Sequence, residues 1–407
     1  MTSLSRGIRG AAIASMVLAV VSCQQGVTDL GVVEDSSLNQ EESLGPLVNG
    51  MARALSDALD TIALTGAAVS REVVASGSQF LFGVTPRQSR GILDPVESDE
   101  HWNLAHRARW VAEEGVRRMR EVLGGRFPTS RLAARGLLFA GFANRLLGEN
   151  MCHGVVDGGP AQPRTVHFER SKEAFEEAHE IAVRIGDADL ANAALAGRAS
   201  VLASLGEWAG ARADAERIPP GFVHHARYHR NEIDQYNTLY WATAGTPYRS
   251  ISVWSTFYEG YYLETGDPRT PWSRDPAADE GPLGVPFLRQ EKYTSRDAPI
   301  PLVDRAEMRL IVAEARLRAG EVPGALAEIE ALRAKAGVDP WSAEDLEGAW
   351  TALKRERGIE LWLEGRRLWD LHRWREEGVP GEAEDLAGRD TCFPIGATEA
   401  STNPNIP

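Results

Sequence analysis

The chain has 407 residues, of which 43% are hydrophobic, 25% are charged and 7% are aromatic. This composition is typical of a globular protein and excludes a mainly disordered or low-complexity chain. The 58 acidic residues outnumber the 44 Lys and Arg residues, which gives a formal net charge of -14. Because nucleic-acid affinity depends on Lys and Arg side chains that neutralise phosphates, we expect no nucleic acid among the partners.

The first 22 residues have the features of an export signal. Arg6 and Arg9 precede an apolar run of about 11 residues, which is too short to span roughly 30 Å of hydrocarbon as a helix. The run is followed by residues 20–23, which resemble the bacterial lipobox, in which the cysteine is acylated. We therefore predict a lipoprotein signal peptide over residues 1–22 and a lipid anchor on Cys23. An ordinary cleaved signal peptide with a chance cysteine is the alternative.

Two further cysteines, Cys152 and Cys392, would lie beyond the cytoplasm after export, where disulfides persist. The separation of two cysteines along the chain does not say whether their Cα atoms come within bridging distance. A disulfide between them and two free, buried thiols therefore both stay open as interpretations.

Residues 23–45 are polar and acidic without a regular period, which predicts a flexible tether ahead of a single domain over residues 46–407. Apolar residues at helical spacing then dominate, beginning with helices over about 47–75 and 102–123. The predicted fold class is mainly α. It is a scaffold of tetratricopeptide-like helix pairs at about 131–185, 189–218, 301–336 and 353–375.

A repeat with an offset of 114 residues supports this architecture. Segments 206–216 and 320–330 are identical at six positions, and each follows an Ala-rich helix. Gly206 and Gly320 are predicted to end the first helix of each pair, and the small residues let two helices approach closely at their crossing. The alternative is a chance likeness between two helical hairpins rich in Ala, Gly and Glu.

Residues 224–300, here called the excursion, interrupt the helical pattern. Seven of the eight Tyr residues of the chain lie between Tyr228 and Tyr262, among Trp, Gly and Pro residues. This composition predicts an irregular, loop-rich segment that packs on the helical scaffold. Loops that a rigid scaffold positions often carry binding residues, so we expect a ligand site here.

The last third of the chain carries the most specific pattern. Its charged and apolar residues recur in a fixed order, as Arg305-Ala306-Glu307, Glu314-Ala315, Glu356-Arg357, Glu360-Leu361, Glu364-Gly365, Arg367, Asp370-Leu371 and Arg373-Trp374. Short elements on both sides complete the pattern, namely Asp267-Pro268-Arg269, Lys292-Tyr293, Pro394-Ile395 and Asn403-Pro404. In order and spacing this pattern resembles the SusD/RagB family of nutrient-uptake lipoproteins of the outer membrane.

The resemblance implies a SusD-like fold and a lipid-anchored protein of the outer membrane that faces the cell exterior. It implies that the protein captures a nutrient, an oligosaccharide in the best-known members and a peptide in others. It further implies that the nutrient passes to a TonB-dependent, SusC-like barrel for import.

The segment from residue 357 to residue 374 is predicted to form one helix with its charges three or four positions apart. That spacing places them on one face as a structural ion network, formed by Arg357, Glu360, Glu364, Arg367 and Asp370. A glycosidase carboxylate pair of Glu360 and Glu364 is the alternative. We disfavour it, because the interleaved arginines would hold both carboxylates ionised, whereas a proton donor needs a raised pKa.

No other pattern in the sequence indicates catalysis. His224, His225, His229 and Glu232 lie within nine residues and lack a matching geometry elsewhere, so we interpret them as an exposed polar loop and not as a metal cluster. The sequence contains no phosphate-binding glycine loop with a lysine, no nucleophile elbow and no CxxC pair. We therefore expect no metal, no cofactor and no enzymatic activity.

Sugar rings stack their C–H faces on aromatic side chains, and nearby polar groups then bind the hydroxyls. The candidate ligand-binding residues of the excursion are Tyr240, Trp241, Tyr258, Tyr261, Tyr262 and Trp272, with Asn237 and Asp267 as polar partners. The competing hypothesis is a lipoprotein scaffold that binds other envelope proteins through its helical repeats. Burial of the aromatic rings would favour the scaffold.

Overall fold

The computed structural model describes residues 38–77, 83–244, 249–274, 284–383 and 386–406. Helices dominate these residues, and the described strands are short and paired in twos. The predicted mainly α fold class is confirmed. The predicted signal peptide and Cys23 lie outside the described residues. No helix in the described ranges combines the length and the apolar character that a membrane span requires.

A long central helix, α1 (Leu44–Val69), opens the described core and is buried along most of its length. After the short α2 (Pro86–Ser89), a second long helix, α3 (Asp99–Leu123), packs beside it. The predicted tether ends earlier than residue 45, because Leu44 is fully buried and Glu41 forms an ion pair with Arg126 at 2.7 Å. The folded domain thus includes residues that we had assigned to the tether.

The repeat scaffold consists of helices that each pack on the next. They are α4 (Arg131–Asn150), α5 (Thr165–Arg184), α6 (Ala188–Ser204), α7 (Trp208–Glu216), α10 (Arg305–Arg318), α11 (Val322–Ala336) and α12 (Leu346–Glu360). The segments predicted as pairs at 131–185, 189–218 and 301–336 each fold as two packed helices. Helix α7 packs on α10 although the excursion separates them in the chain, so the excursion leaves the stack uninterrupted.

Small residues allow this close stacking. A Cβ atom on Gly141 of α4 would lie 2.6 Å from the ring of Phe175, and one on Gly197 of α6 would lie 2.5 Å from the same ring. Phe175, on α5, is fully buried between these two glycines. Three successive helices therefore share one aromatic contact that no larger residue at either glycine position would permit.

The two copies of the sequence repeat have the same backbone turn. Gly206 and Gly320 have φ values of 78° and 77°, in the left-handed region that favours glycine. In each copy the amide of the next residue donates to the carbonyl five residues earlier, at 2.8 Å. The prediction that these glycines end the first helix of each pair is confirmed.

The prediction of one helix over residues 357–374 is wrong. Helix α12 ends at Glu360, and α13 (Arg367–Glu376) begins after a turn in which Leu363 and Gly365 have positive φ values of 60° and 72°. The two helices then pack differently: α12 contacts α10 and α11, whereas α13 contacts α1 and α4. The segment 353–375 is therefore not a repeat pair like the others.

Lys292 and Tyr293 stabilise this turn. The Nζ atom of Lys292 donates to the carbonyl of Trp362 and to the carboxylate of Glu364, each at 2.7 Å. The hydroxyl of Tyr293 donates to the carbonyl of Leu363 at 3.1 Å. Carbonyls that a continuous helix would have paired internally thus find partners from the excursion.

The excursion contains short elements: β4 (Val223–Ala226), α8 (Thr238–Ala244), β5 (Ile251–Ser252), α9 (Phe257–Thr265), β6 (Trp272–Arg274), β7 (Leu288–Gln290) and β8 (Ile300–Asp304). Its strands pair antiparallel, β4 with β8 and β6 with β7, while β5 pairs with β1 (Val74–Ala75). The pairing of β4 with β8 joins the two ends of the excursion where it leaves and re-enters the repeats.

A disulfide joins Cys152 and Cys392, whose Cα atoms are 5.1 Å apart. It connects the residues after α4 to the carboxyl-terminal segment, which includes α14 (Ala397–Thr402). The backbone supports the same contact, because the amide of Cys152 donates to the carbonyl of Phe393 at 2.9 Å. Nearby, β2 (His153–Gly154) pairs with β3 (Gln162–Pro163). Of the two interpretations left open by the sequence, the structure has the disulfide.

Candidate functional site

Helix α9 directs Tyr258 into the core. Its side chain is fully buried, and its hydroxyl donates to the carbonyl of Gly358 at 3.1 Å. Its ring stacks on that of Trp362, with centroids 5.3 Å apart. A ring covered in this way offers no face to a ligand, so the prediction of Tyr258 as a ligand contact is wrong.

Tyr261 and Asp267 bind each other instead of a ligand. The hydroxyl of Tyr261 donates to the Asp267 carboxylate at 2.6 Å, and both side chains are buried. Burial, together with this carboxylate, raises the pKa of Tyr261 to about 12. Burial opposes ionisation of Asp267, but hydrogen bonds from Arg269 and Tyr261 hold its pKa below the usual value. Both residues are structural, which corrects their assignment to the site.

Asn237 is also structural. Its Oδ1 atom accepts from the amide of Tyr240 at 3.0 Å, at the start of α8, and its Nδ2 atom donates to the carbonyl of Ala298 at 2.8 Å. The side chain is fully buried. Asparagine at this position satisfies an amide that the first turn of a helix leaves unpaired. The prediction that it would bind a ligand is therefore wrong.

The other four candidates are half-buried, and two of them lie on α8. Trp241 packs against Tyr236, with ring centroids 5.2 Å apart, and the Arg296 guanidinium lies over both rings, at 5.6 Å and 4.8 Å. We call Tyr236, Trp241 and Arg296 the first aromatic group. Tyr240, the neighbour of Trp241 on α8, is partly exposed as well. Flat rings held beside a charged group can both stack on a sugar and bind its hydroxyls.

Tyr262 and Trp272 form the second aromatic group, with ring centroids 6.0 Å apart. The indole nitrogen of Trp272 donates to the carbonyl of Glu259 at 3.3 Å, which fixes the ring against α9. The β6–β7 hairpin adds polar groups, since Glu291 accepts hydrogen bonds from Arg289 at 2.7 Å and from Ser273. Ser273 and Arg289 are paired across β6 and β7, so these polar groups lie on the face of the strands opposite to Trp272.

Two members of the first group were not among our candidates. Tyr236 lies five positions before Trp241 in the same aromatic-rich segment, so the sequence could have indicated it as a candidate. Arg296 is 55 positions after Trp241 and carries no local signal. Its place is set by Asn237, whose backbone amide donates to the carbonyl of Arg296 at 2.7 Å. A long-range backbone contact of this kind cannot be read from the sequence.

The predicted ion network forms across elements and not along one helix. Arg357 and Asp370 do pair, at 2.9 Å, from α12 to α13. The other three members bond elsewhere: Glu360 with Arg269, Glu364 with Lys292, and Arg367 with the carbonyl of Lys354. The break between α12 and α13 separates charged residues that were predicted to be neighbours on one helix. The charge spacing therefore predicted the wrong pairs. The pairs of Glu360 with Arg269 and of Glu364 with Lys292 attach the excursion to the end of α12 and to the turn after it.

Glu364 departs from our expectation of an ionised carboxylate. Burial raises its pKa to about 7, although the ammonium group of Lys292, 2.7 Å away, acts in the opposite direction. Its side chain is only 6% exposed. A carboxyl group so enclosed cannot reach a glycosidic oxygen, so the raised pKa does not make it a catalytic acid.

Of the four residues that we interpreted as an exposed polar loop, His229 and Glu232 are exposed and lie outside the strands. His224 and His225 belong to β4 and are half-buried, with an irregularity of the β4–β8 register between them. Within the described ranges, no group of three or more His, Cys, Asp or Glu side chains has the arrangement of a metal site.

Residues 287–405 match the sequence model of the SusD family. A search among curated proteins gives no match. Many solved structures share the fold, including a SusD-like carbohydrate binding protein from Bacteroides vulgatus ATCC 8482, with 18% identity, a TM-score of 0.64 and coverage of 85% of each chain.

Two further structures cover nearly all of their own chains. A SusD superfamily protein from Bacteroides thetaiotaomicron VPI-5482 has 13% identity and a TM-score of 0.67 over 91% of this chain and 98% of its own. A laminarin binding SusD-like protein has 16% identity and a TM-score of 0.61 over 88% and 98%. The family model thus matches residues 287–405, and these structures show that the chain shares the SusD-like fold.

Proposed function

We propose that this protein captures a nutrient, an oligosaccharide in the first instance, on the two aromatic groups of its excursion. The observation that carries the proposal is the half-buried state of Trp241 and Trp272, each beside a second ring, with the guanidinium of Arg296 over the ring of Trp241. Carbohydrate sites need aromatic platforms of this kind, with polar groups at their edges. The carbohydrate-binding and laminarin-binding names of two structural relatives support the same ligand class. A peptide is the second ligand class that the family resemblance implies.

The proposal includes the cellular setting. A lipid on Cys23 would anchor the protein to the outer membrane, facing the cell exterior, and residues 24 to about 40 would serve as the tether. The captured nutrient would then pass to a TonB-dependent, SusC-like barrel. The lipobox and the family resemblance support these two steps.

We assign no catalytic activity to the protein. The carboxylates that came closest to a glycosidase pair, Glu360 and Glu364, are engaged by Arg269 and Lys292 at 2.7 Å each. Their role is to attach the excursion to the end of α12 and to the turn that follows it. The aromatic groups therefore bind and release a ligand that remains chemically unchanged.

The test is a comparison of three proteins by isothermal titration calorimetry, with laminarin oligosaccharides as the first probe of a glycan panel. The double variant Trp241→Ala/Trp272→Ala should bind at least tenfold more weakly than wild type, because stacking area is lost from both groups. Its melting temperature should stay within a few degrees, since both side chains are half-buried. Trp110→Ala is the matched control, because Trp110 is 56% exposed on α3, away from the excursion.

Unchanged affinity in a folded double variant would remove both tryptophans from the site. A loss of affinity equal to that in Trp110→Ala would do the same. If peptides from a random library bind in place of every glycan, and the double variant loses that binding, the site stands and the ligand class changes.

One observation favours the scaffold hypothesis as a second candidate. Two of the six candidate rings, those of Tyr258 and Tyr261, are core residues, together with both polar candidates. The stacked helix pairs from α4 to α12 also have the architecture that repeat proteins use to bind other proteins. A scaffold would bind envelope proteins from detergent extracts equally well in wild type and in the tryptophan double variant.

A further inference from the structure

A cavity of about 840 Å³ lies between α1, α4 and β4. None of the residues of the two aromatic groups lines it. Part of its wall is apolar, formed by Leu55, Leu138, Phe139 and Leu302. This volume is in the range of small-molecule sites, which combine an apolar lining with a few polar groups. The cavity is therefore built to hold a ligand of limited size.

The charges around the cavity do not balance. Three arginines and two aspartates line it, namely Arg53, Arg135, Arg227, Asp57 and Asp297. Both aspartates already have partners: Arg53 lies 3.8 Å from Asp57, and Arg230 lies 2.8 Å from Asp297. Arg135 and Arg227 form no ion pair with any residue that the structure describes. Two positive charges thus remain without a counter-charge, in a chain whose formal net charge is -14.

His224 provides a third polar group on the same wall. Its Nε2 atom is buried and has no hydrogen-bond partner within the described part of the chain. Burial first, and then the charges of His225, Arg227 and Arg135, lower the pKa of His224 to about 4, so the ring is neutral at pH 7. The neutral ring adds no competing charge to the cavity, and its buried Nε2 atom is not accessible to a ligand there. Arg135, Arg227 and His224 all line this cavity.

We propose that this cavity binds a small organic carboxylate whose apolar body packs on Leu138 and Phe139 while its carboxylate pairs with Arg135 and Arg227. A guanidinium group matches a carboxylate with two parallel hydrogen bonds. Arg135 is half-buried and Arg227 is exposed, so the pairing would occur where the cavity opens to solvent. This site differs from the aromatic groups in its lining and its chemistry, so it does not depend on the proposed glycan capture.

The test uses two carboxylates, 2-naphthoate and 3-phenylpropionate, and the neutral isostere 2-naphthamide, each titrated calorimetrically into the purified protein. We expect saturable binding of the carboxylates and at least tenfold weaker binding of the amide, since the amide carries no charge to pair with the two arginines. Arg135→Gln and Arg227→Gln should each weaken carboxylate binding about tenfold. Arg135→Lys should retain part of it, because the charge is kept and the second hydrogen bond is lost.

Arg131→Gln is the matched control. Arg131 lies one turn before Arg135 on α4, but its side chain is 63% exposed and pairs with Asp187 at 2.7 Å. Its replacement should leave carboxylate binding unchanged. The proposal is overturned if neither carboxylate binds, if the amide binds as tightly as the acid, or if the folded Arg135→Gln and Arg227→Gln variants bind like wild type. Thermal melts of every variant establish that it is folded.

Discussion

The helix pairs of the repeat scaffold and the excursion differ in how their side chains find partners. In the scaffold, partners follow the helical period, as when Phe175 packs between Gly141 and Gly197 of the neighbouring helices. In the excursion, partners come from far along the chain: Tyr258 bonds to Gly358, and Tyr293 bonds to Leu363. Local sequence therefore indicates burial in the scaffold, whereas in the excursion burial depends on where a distant segment lies.

The largest expected loss of stability comes from replacing a buried ring of the excursion, and it should clearly exceed the loss from replacing a half-buried one. Tyr258→Ala should lower the free energy of unfolding by about 3–5 kcal/mol, because it leaves a cavity beside Trp362 and removes a hydrogen bond to Gly358. Trp241→Ala should lower it by no more than about 1 kcal/mol. Urea unfolding at 25 °C measures both.

Equal losses in Tyr258→Ala and Trp241→Ala would contradict this division of the excursion into core and site. So would a larger loss in Trp241→Ala, because Trp241 would then belong to the core and leave the proposed binding surface.

Removing the disulfide tests how much it stabilises the protein by joining the scaffold to the carboxyl-terminal segment. Replacing Cys152 and Cys392 together by Ser should lower the free energy of unfolding by about 2–4 kcal/mol, since the bond constrains the unfolded chain. A reducing agent should destabilise the wild-type protein by a similar amount and leave the double variant unaffected. Equal sensitivity of both proteins to the reducing agent would contradict the role of this bond.

A pH-dependent contact joins α1 to the excursion. Asp60 on α1 accepts hydrogen bonds from the amide and the hydroxyl of Thr238, at 2.9 Å and 2.7 Å. Burial raises the pKa of Asp60 to about 7, above the value of about 4 that applies to the unfolded chain. The folded state thus keeps a proton that the unfolded state loses, so this group's contribution to stability declines from about pH 4 to pH 7.

Asp60→Asn removes that dependence. The stability of this variant relative to wild type should rise by at least about 1.4 kcal/mol between pH 4 and pH 7, which corresponds to one pKa unit. Asp345→Asn is the control, because Asp345 caps α12 in the same way, with Gly348 as donor at 2.8 Å, but is exposed to solvent. A relative stability of Asp60→Asn that is independent of pH, or falls as pH rises, would contradict the buried, protonated Asp60.

The smallest expected loss of stability comes from replacing the glycine at the turn in each copy of the repeat. Gly206→Ala and Gly320→Ala should each lower the free energy of unfolding by about 1 kcal/mol, because alanine is strained at a positive φ. The two losses should agree within about 0.5 kcal/mol, since space around both positions is open and only the backbone matters. Clearly unequal losses would show that the copies are not equivalent turns.

The sequence predicted the scaffold better than the site. Helical spacing located α4 to α7, α10 and α11, and the positions of Gly206 and Gly320 followed from the repeat. The break between α12 and α13 escaped prediction, because the groups that stabilise it, Lys292 and Tyr293, lie some 70 residues away. Charge spacing alone favoured a continuous helix.

In the excursion, composition identified the right segment but not the exposed side chains. Tyr258 and Tyr262 are both aromatic residues of α9, yet one is buried against Trp362 and the other lies beside Trp272. The irregular backbone sets this difference, and no period in the sequence encodes it. The same reason explains why Arg296 was missed and why Asn237 and Asp267 were assigned to the wrong role.

We have proposed that this protein is anchored by a lipid and captures a nutrient for an outer-membrane barrel. The most direct measurement is to purify the acylated protein from native outer membranes in mild detergent and to identify its partners by quantitative mass spectrometry. We expect a diacylated Cys23 at the mature terminus and a TonB-dependent barrel in near-equal amount. Envelope-assembly factors or other lipoproteins in place of a barrel would contradict the claim and support the scaffold.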